Sequence, residues 1–540
     1  MKKLTFVVMM LLSVFSYVSG NVHAQEKPET RPNILLIHTD DVGWGDYSIY
    51  NSESKIKTPE IDRLAKTGIR FTNAHTPAAL CAPTRYALLT GNYPWRGRYP
   101  AGDWNWHTDT QFLPDQKTFG HFLQQAGYRT AMFGKANLGL VYEKMIDDKT
   151  PDFASKLKEG PIEWGFDYSY IIPRGHMTFP YVYYENNILV GDPKNVVTLK
   201  AGALKGGSVV TADGPGYSDW NSADVGRTLT EKVTAFIDDV LAKNKAKGKR
   251  QPFLIHFNTD GAHTPHTPTD VLFDRKLKGE TITPQTDMIL ETEIIAGQLV
   301  KVLKERNLYA NTIIIVTSDN GGIPAGKLEK FGHDAVGGLR GNKSTIWEGG
   351  TRVPFIVHWG DDTEAGSKIK PGTTTNQVIG THDLAATFAE IAGVEPGEDQ
   401  ALDSVSFLPV LLGKQSEDKP IRESLLVQSS LGSDIEFPFV GRVPQQFQNR
   451  PQPQKAYKNS RAKAAQDKGF DGIAHAVLKN HWKLLLGLQE EPQFLVNLKD
   501  DPKETTNLLE DSANKKRIEE YQTIYKSIRE SKRSTPPLKL

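Results

Sequence analysis

The chain has 540 residues, 38% hydrophobic and 24% charged, which is more than one core usually supports, so a large domain plus a smaller one is expected. Its 65 basic and 64 acidic residues leave a formal charge of +1, which argues against nucleic acid or an anionic membrane surface as a partner. A single cysteine, Cys81, rules out an internal disulfide framework.

At the N-terminus, Lys2 and Lys3 precede an apolar run from Leu4 to Val18, and Val22-His23-Ala24 ends on a small residue suited to cleavage. Together they read as a secretory signal over residues 1–24. The run is short for a membrane span, no other candidate span follows, and no cysteine stands after the signal to carry a lipid. The expectation is an exported mature chain, periplasmic or secreted, beginning near Gln25.

Residues 33–38 (NILLIH) are a short apolar run between Pro32 and Asp40-Asp41, read as a buried parallel strand. Thr58-Pro59-Glu60 opens a helix with Thr58 as N-cap, and Ile61, Leu64 and Ala65 share one face before Gly68. Helices are expected at 118–126, 229–242, 292–306 and 382–392, and strands at 128–133, 253–257, 312–317 and 353–358. Such alternation predicts an α/β fold, a mostly parallel central sheet sandwiched by helices, over residues 25–402. From about Asp403 the elements shorten, which reads as a smaller C-terminal α+β domain over 403–540 with a short antiparallel sheet. Residues 481–486 and 493–498 form its strand pair, 515–532 a charged amphipathic helix on the solvated surface, and 445–454 an exposed loop.

Three clusters carry chemistry. The first strand ends in Thr39-Asp40-Asp41, and the 312–317 strand in Ser318-Asp319-Asn320-Gly321-Gly322. Ligands of open α/β sheets gather beyond strand C-termini, and carboxylates with an amide oxygen suit a hard divalent cation, calcium above all. Either cluster alone is equally a turn, since Asp and Asn are turn residues. The third is Cys81-Ala82-Pro83-Thr84-Arg85, continuing to Leu89-Thr90-Gly91. Pro83 favours a helix start, and Arg85 falls one turn on, adding a permanent charge to an end that attracts anions. That describes an activated thiol or an inert buried one.

Residues Cys81 to Gly91 resemble the signature of the type I sulfatases, Cys-x-Pro-Ser-Arg followed by Leu-Thr-Gly. The likeness continues in Asp40-Asp41, Gly134-Lys135, His263-Thr264-Pro265, Ser318-Asp319-Asn320-Gly321 and Leu339-Arg340-Gly341-Asn342-Lys343. It runs on through Trp347-Glu348-Gly349-Gly350-Thr351-Arg352-Val353-Pro354 to Asp500-Asp501-Pro502-Lys503-Glu504. The resemblance implies an alkaline phosphatase superfamily fold and a cysteine oxidised to formylglycine (3-oxoalanine). A formylglycine-generating or anaerobic sulfatase-maturating enzyme would be the partner for that step. It also implies one Ca2+, rather than Mg2+, on Asp40, Asp41, Asp319, Asn320 and modified Cys81. Arg85 then orients the formylglycine, Lys135 and Lys343 grip sulfate oxygens, and His263 is the acid beside the bridging oxygen. His266 is a further candidate for contact with substrate.

Two positions depart from the family pattern. Thr84 replaces serine and keeps the hydroxyl. Asn137 stands in Gly134-Lys135-Ala136-Asn137-Leu138-Gly139 where the family has histidine, and asparagine does not titrate near neutral pH. His333, shortly before Lys343, is the candidate substitute or substrate contact. The implied reaction is hydrolysis of a sulfate ester on a sugar. The hydrated aldehyde attacks sulfur, and loss of a proton from its second hydroxyl then expels sulfate. Two rivals stand beside it: a phosphonate monoester or phosphodiester hydrolase of the same superfamily, and a catalytically silent sulfated-glycan binding protein. Substrate contacts are sought in Arg174-Gly175-His176-Met177, in Tyr181-Val182-Tyr183-Tyr184-Glu185-Asn186-Asn187, and in the loop near Gln445.

Overall fold

The NILLIH run forms the strand Asn33–Thr39, buried along its whole length. Alternate side chains of a strand point to opposite faces. Ile34 and Leu36 join one core with the helices Cys81–Thr90, Phe119–Gln125 and Leu384–Ala392. Leu35 and Ile37 join another with Pro59–Lys66, Val225–Lys247 and Pro284–Glu305. Both faces of the sheet are therefore covered, which is why its central strands read as unbroken apolar runs. The structure, a computed structural model, describes residues 31–98, 109–147, 150–204, 208–323, 328–429, 474–487 and 489–540. The signal at 1–24 and the loop at 445–454 lie outside the described residues.

Among the described residues the large sheet has ten strands. Its centre is parallel, in the order Thr312–Ser318, Asn33–Thr39, Phe253–Asn258, Arg129–Lys135, Tyr168–Ile172. Phe355–Trp359 runs antiparallel to both its neighbours, and the hairpin Tyr184–Glu185/Ile188–Leu189 closes the far edge, also antiparallel. The fold is thus the expected mostly parallel sheet between helices.

Two local expectations need correction. Thr58 stands at the N-cap of Pro59–Lys66 but makes no side-chain cap; its hydroxyl donates to Asp62 instead, at 3.0 Å. The free amides of Glu60 and Ile61 are taken by the carboxylate of Glu293, at 2.8 and 3.0 Å, so this helix start is capped from another helix. The helix expected from residue 292 begins at Pro284. Thr283 caps it, and its first two turns bury Gln285, Thr286, Asp287 and Glu291, polar residues that hide the apolar period.

Beyond the large sheet, Leu425–Gln428, His475–Lys479, Trp482–Leu486 and Pro492–Asn497 form a four-stranded antiparallel sheet. The helix Lys515–Glu530 is not solvated all round: Tyr521, Tyr525 and Ile528 pack into the core of this sheet, which also takes in Tyr93, Trp95, Ile346 and Trp347. Among the described residues no helix is long and apolar enough to cross a membrane.

Candidate active site

Strand register assembles the site. Thr39 pairs with Ser318, His38 with Asn258, and Asn258 with Gly134, so the chain leaves four neighbouring strands at one level. The next residues along are Asp40-Asp41, Asp319-Asn320 and Lys135. Asp41 has φ +62°, a left-handed conformation that Asp tolerates and that turns the chain sharply after the strand. Cys81 is the first residue of Cys81–Thr90, a helix closed by Gly91 at φ +69°. The turn before it is held by the Thr84 hydroxyl, which donates to the Ala78 carbonyl at 2.7 Å. Ser344, beside Lys343, donates its amide to Ala79 at 2.8 Å and docks the lysine loop on the same turn.

One carboxylate oxygen of each of Asp40, Asp41 and Asp319 lies with the Cys81 sulfur in a group whose members are all within 4.8 Å of one another. The Cys81 thiol faces Asp40 at 3.5 Å. Lys135 Nζ donates to Asp40 at 2.6 Å, and Lys343 Nζ donates to Asp41 and, at 3.3 Å, to the Cys81 sulfur. Arg85 Nη2 donates to Asp319 at 2.7 Å and lies 3.6 Å from Asp40. Three acids are matched by three bases. His263 approaches Asp41 at 3.8 Å through Nε2, while its Nδ1 lies 2.9 Å from the Thr264 carbonyl. A carbonyl only accepts, so Nδ1 carries the proton and Nε2 presents its lone pair in the neutral ring.

Burial opposes the charge on Asp40, but Lys135, His263 and Arg85 together hold its carboxyl well below the ordinary range. Burial and the Asp40 charge push Asp319 up to about 6 against the pull of Arg85. Burial and Asp319 raise the Cys81 thiol well above its usual value, so the unmodified residue is a poor nucleophile. Burial and the Lys135 charge bring His263 down to about 4.

A dication fits this donor set. Asp40, Asp41, Asp319 and Asn320 offer hard oxygens, and Asp41 Oδ2 and Asn320 Oδ1 are buried with no hydrogen-bond partner among the described residues. The sulfur of Cys81 is the one soft donor in the group, and an oxygen function at that position would make the set uniformly hard.

The remaining expected residues divide. Asn137 is buried, its amide donating to the Pro173 carbonyl and its Oδ1 without a partner among the described residues. His266 follows His263 on the same loop, with Nε2 bonded to the Ala262 carbonyl at 2.9 Å. His333 is not available as a proton shuttle or substrate contact: Nε2 is 2.8 Å from Asp46 and Nδ1 accepts the Lys55 amide at 3.2 Å, so both ring nitrogens are committed and the ring is buried. Tyr181 and Tyr184 are core residues, and Tyr183 packs on Tyr170 and Trp220. None of the three is a free platform for a sugar ring. Sequence reasoning missed Asn258, whose Oδ1 accepts from Arg85 at 2.8 Å and meets His38 Nδ1 at 3.1 Å. It also missed Asp260. Both follow the apolar 253–257 run, and polar residues at a strand C-terminus were the available signal.

Residues 32–394 match the family model described as Sulfatase. An N-acetylgalactosamine-6-O-sulfatase of Bacteroides thetaiotaomicron is 32% identical over 444 residues, covering 75% of this chain and 80% of its own. The human N-acetylgalactosamine-6-sulfatase is 28% identical over 424 residues, covering 74% and 70%. A solved structure from a study of the metabolism of multiple glycosaminoglycans by Bacteroides thetaiotaomicron superposes with a TM-score of 0.71 at 26% identity, covering 93% of this chain and all of that one. The phosphonate monoester hydrolase of Agrobacterium radiobacter shares the fold, with a TM-score of 0.57 at 16% identity.

Proposed function

The chain belongs to the sulfatase family and is a sulfuric ester hydrolase, and from that premise we propose that it releases sulfate from a sulfated carbohydrate, with residue 81 as formylglycine and one calcium ion. The observation that carries the reading is the convergence of Cys81 with three ion pairs, Lys135–Asp40, Lys343–Asp41 and Arg85–Asp319, at the C-terminal edge of the parallel sheet. The carbohydrate is supported by relatives named for 6-sulfated N-acetylgalactosamine.

Asp40, Asp41, Asp319 and Asn320 would hold the ion, which supplies Lewis-acid stabilisation of charge on sulfate oxygens. Formylglycine supplies a hydrated aldehyde as nucleophile, made from the thiol by a maturation enzyme outside this chain. The other roles belong to this chain's own side chains. Lys135 and Lys343 are the cations placed to take non-bridging sulfate oxygens, exchanging their present carboxylate partners for the substrate. Arg85, locked between Asp319 and Asn258, fixes the charge at the start of the cysteine helix and orients residue 81. His263 Nε2, bare in the neutral ring because Nδ1 keeps its own proton on Thr264, is the nitrogen that takes up a proton and passes it to the bridging oxygen, so the donating form is the imidazolium. Three bases and a dication against three carboxylates leave net positive charge for a sulfate monoester. On the residues 1–24 pattern the enzyme works outside the cytoplasm.

A panel of defined sulfated saccharides, beginning with 6-sulfated N-acetylgalactosamine, tests the reading by measured sulfate release, with an aryl phosphodiester as counter-substrate. Sulfate release from at least one saccharide and slower turnover of the diester are expected. Preferred turnover of the diester, or binding without release by protein carrying formylglycine, contradicts it.

A further inference from the structure

We propose that His176 and Asp260 are positioning residues for His263, holding its backbone so that Nε2 faces the bridging oxygen. This inference rests on the role given to His263 above. Both backbone polar groups of His263 are taken by this pair. Its amide donates to the Asp260 carbonyl at 3.0 Å, and its carbonyl lies 3.1 Å from His176 Nε2. A carbonyl only accepts, so His176 Nε2 carries a proton and donates it there. The circuit closes where the His176 amide donates to the Asp260 carboxylate at 3.3 Å, with His176 Nδ1 3.7 Å from the same oxygen. Two hydrogen bonds thus tie the 173–178 loop to the loop that follows Phe253–Asn258, and a third, from the His263 amide to the Asp260 carbonyl, braces that loop internally.

The pair is built into the structure and does not face solvent. His176 is 1% exposed and Asp260 6%. Gly175 has φ +79°, and a Cβ there would lie 2.6 Å from Asp260 Oδ1 and 3.1 Å from Lys135 Cδ. Only glycine lets the loop come this close to both groups, so the loop is pressed on the Lys135 stem while it grips His263. His263 needs such a grip. Its loop ends in Thr264-Pro265, and among the described residues its own ring bonds at short range only to the adjacent Thr264 carbonyl. A shift of about 1 Å in a proton donor costs on the order of a hundredfold in rate.

A residue that acts through a proton donor has a signature that simple structural damage lacks. Loss of proton donation slows esters of weakly acidic alcohols far more than esters of acidic phenols, whose anions leave unaided. The experiment compares kcat and KM of full-length, matured enzyme on phenyl sulfate and 4-nitrophenyl sulfate. The variants are His263→Ala, His176→Phe, which fills the space without the donor, and His176→Gln, which keeps a donor. If His176→Phe does not fold, His176→Ala carries the same comparison. The expected result is a kcat loss for His176→Phe of about tenfold or more on phenyl sulfate and under about threefold on 4-nitrophenyl sulfate, with KM nearly unchanged. His263→Ala shows the same skew more strongly, and His176→Gln recovers most of the loss. A skewed His263→Ala beside a His176→Phe that loses equally on both esters, or on neither, overturns the inference and leaves the role of His263 intact. An unskewed His263→Ala removes that role, and the inference falls with it.

Discussion

Asn137 sits at φ +53°, in the left-handed region that Asn and His enter more readily than most residues, so the chain departs from its family there without backbone strain. Its buried Oδ1 is an acceptor without a partner among the described residues. If a titrating ring at this position speeds release of sulfate, Asn137→His raises kcat near neutral pH and keeps KM within about twofold and the melting temperature nearly fixed; steady-state kinetics and a thermal melt check it. Glu291 makes a second prediction. Burial and the nearby Asp260 charge push its carboxyl up to about 8 from an ordinary 4.5. Between those values the folded chain holds a proton that the unfolded chain has released, so stability falls as pH rises from about 4.5 to about 8. Glu291→Gln lacks this titration, and its stability relative to the parent should climb across that window, by at most about 1.4 kcal/mol per pH unit. Urea unfolding at pH 5 and pH 8.5 measures it. At this scale the sequence disclosed residues whose charge or thiol sits in a short motif, such as Cys81, Asp40 and Lys343. The roles of Asn258, Asp260 and His176 were not legible, although strand-end polarity marked the first two and His176 stood in a stretch read for substrate contact, because their partners, Arg85, the His263 backbone and one another, are met only by tertiary approach. His333 misled because closeness to Lys343 along the chain says nothing of its ring, which Asp46 and Lys55 consume.

The segment carrying Lys343 is not held by regular structure. It is fastened at both ends: Lys343 and Ser344 donate their amides to Gly322 and Ala79, and Gly349 donates to Arg340. Behind it, Lys483 from the antiparallel sheet donates to Glu348 and Glu504, each at 2.9 Å, with all three side chains fully buried. Glu504 also accepts the Glu348 amide at 2.7 Å, and Arg340 lies over the Trp347 ring at 3.5 Å. The smaller sheet therefore acts as the anvil for the lysine loop. Lys483→Met strands the Glu504 carboxylate without its cation, and a loss of about 3–5 kcal/mol in urea-unfolding stability is expected. Activity should fall through a higher KM as Lys343 loses its backing. The strand pair at 481–498 was readable from its apolar pattern. The buried Lys483 was not, since a lone lysine in such a strand reads as solvated until two carboxylates from distant segments reach it.

Across the whole molecule, parallel register does what no single motif does: it brings residues about 280 positions apart, Asp40 and Asp319, to one level and sets Lys135 beside them. That order was legible because alternating strands and helices permit few topologies. The far reach of the smaller sheet into the core around Tyr93 and Trp347 was not, because it depends on a contact between segments that share no pattern. A bound dication would cross-link two strand ends and the start of the cysteine helix, so its removal should be felt globally. Dialysis against a calcium chelator is expected to lower the melting temperature and abolish sulfate release. Calcium at about a thousand times its Kd should return about 4 kcal/mol of stability, and zinc should not restore activity.

Catalysis turns on residue 81 as an oxygen nucleophile. Mass spectrometry of the peptide containing residue 81, from enzyme fractions matured to different extents, can be set against the sulfate each fraction releases. The account predicts that activity rises in proportion to the fraction in which the CH2–SH group has become an aldehyde and vanishes in Cys81→Ala. Full activity in a fraction whose Cys81 is entirely an unaltered thiol would contradict it.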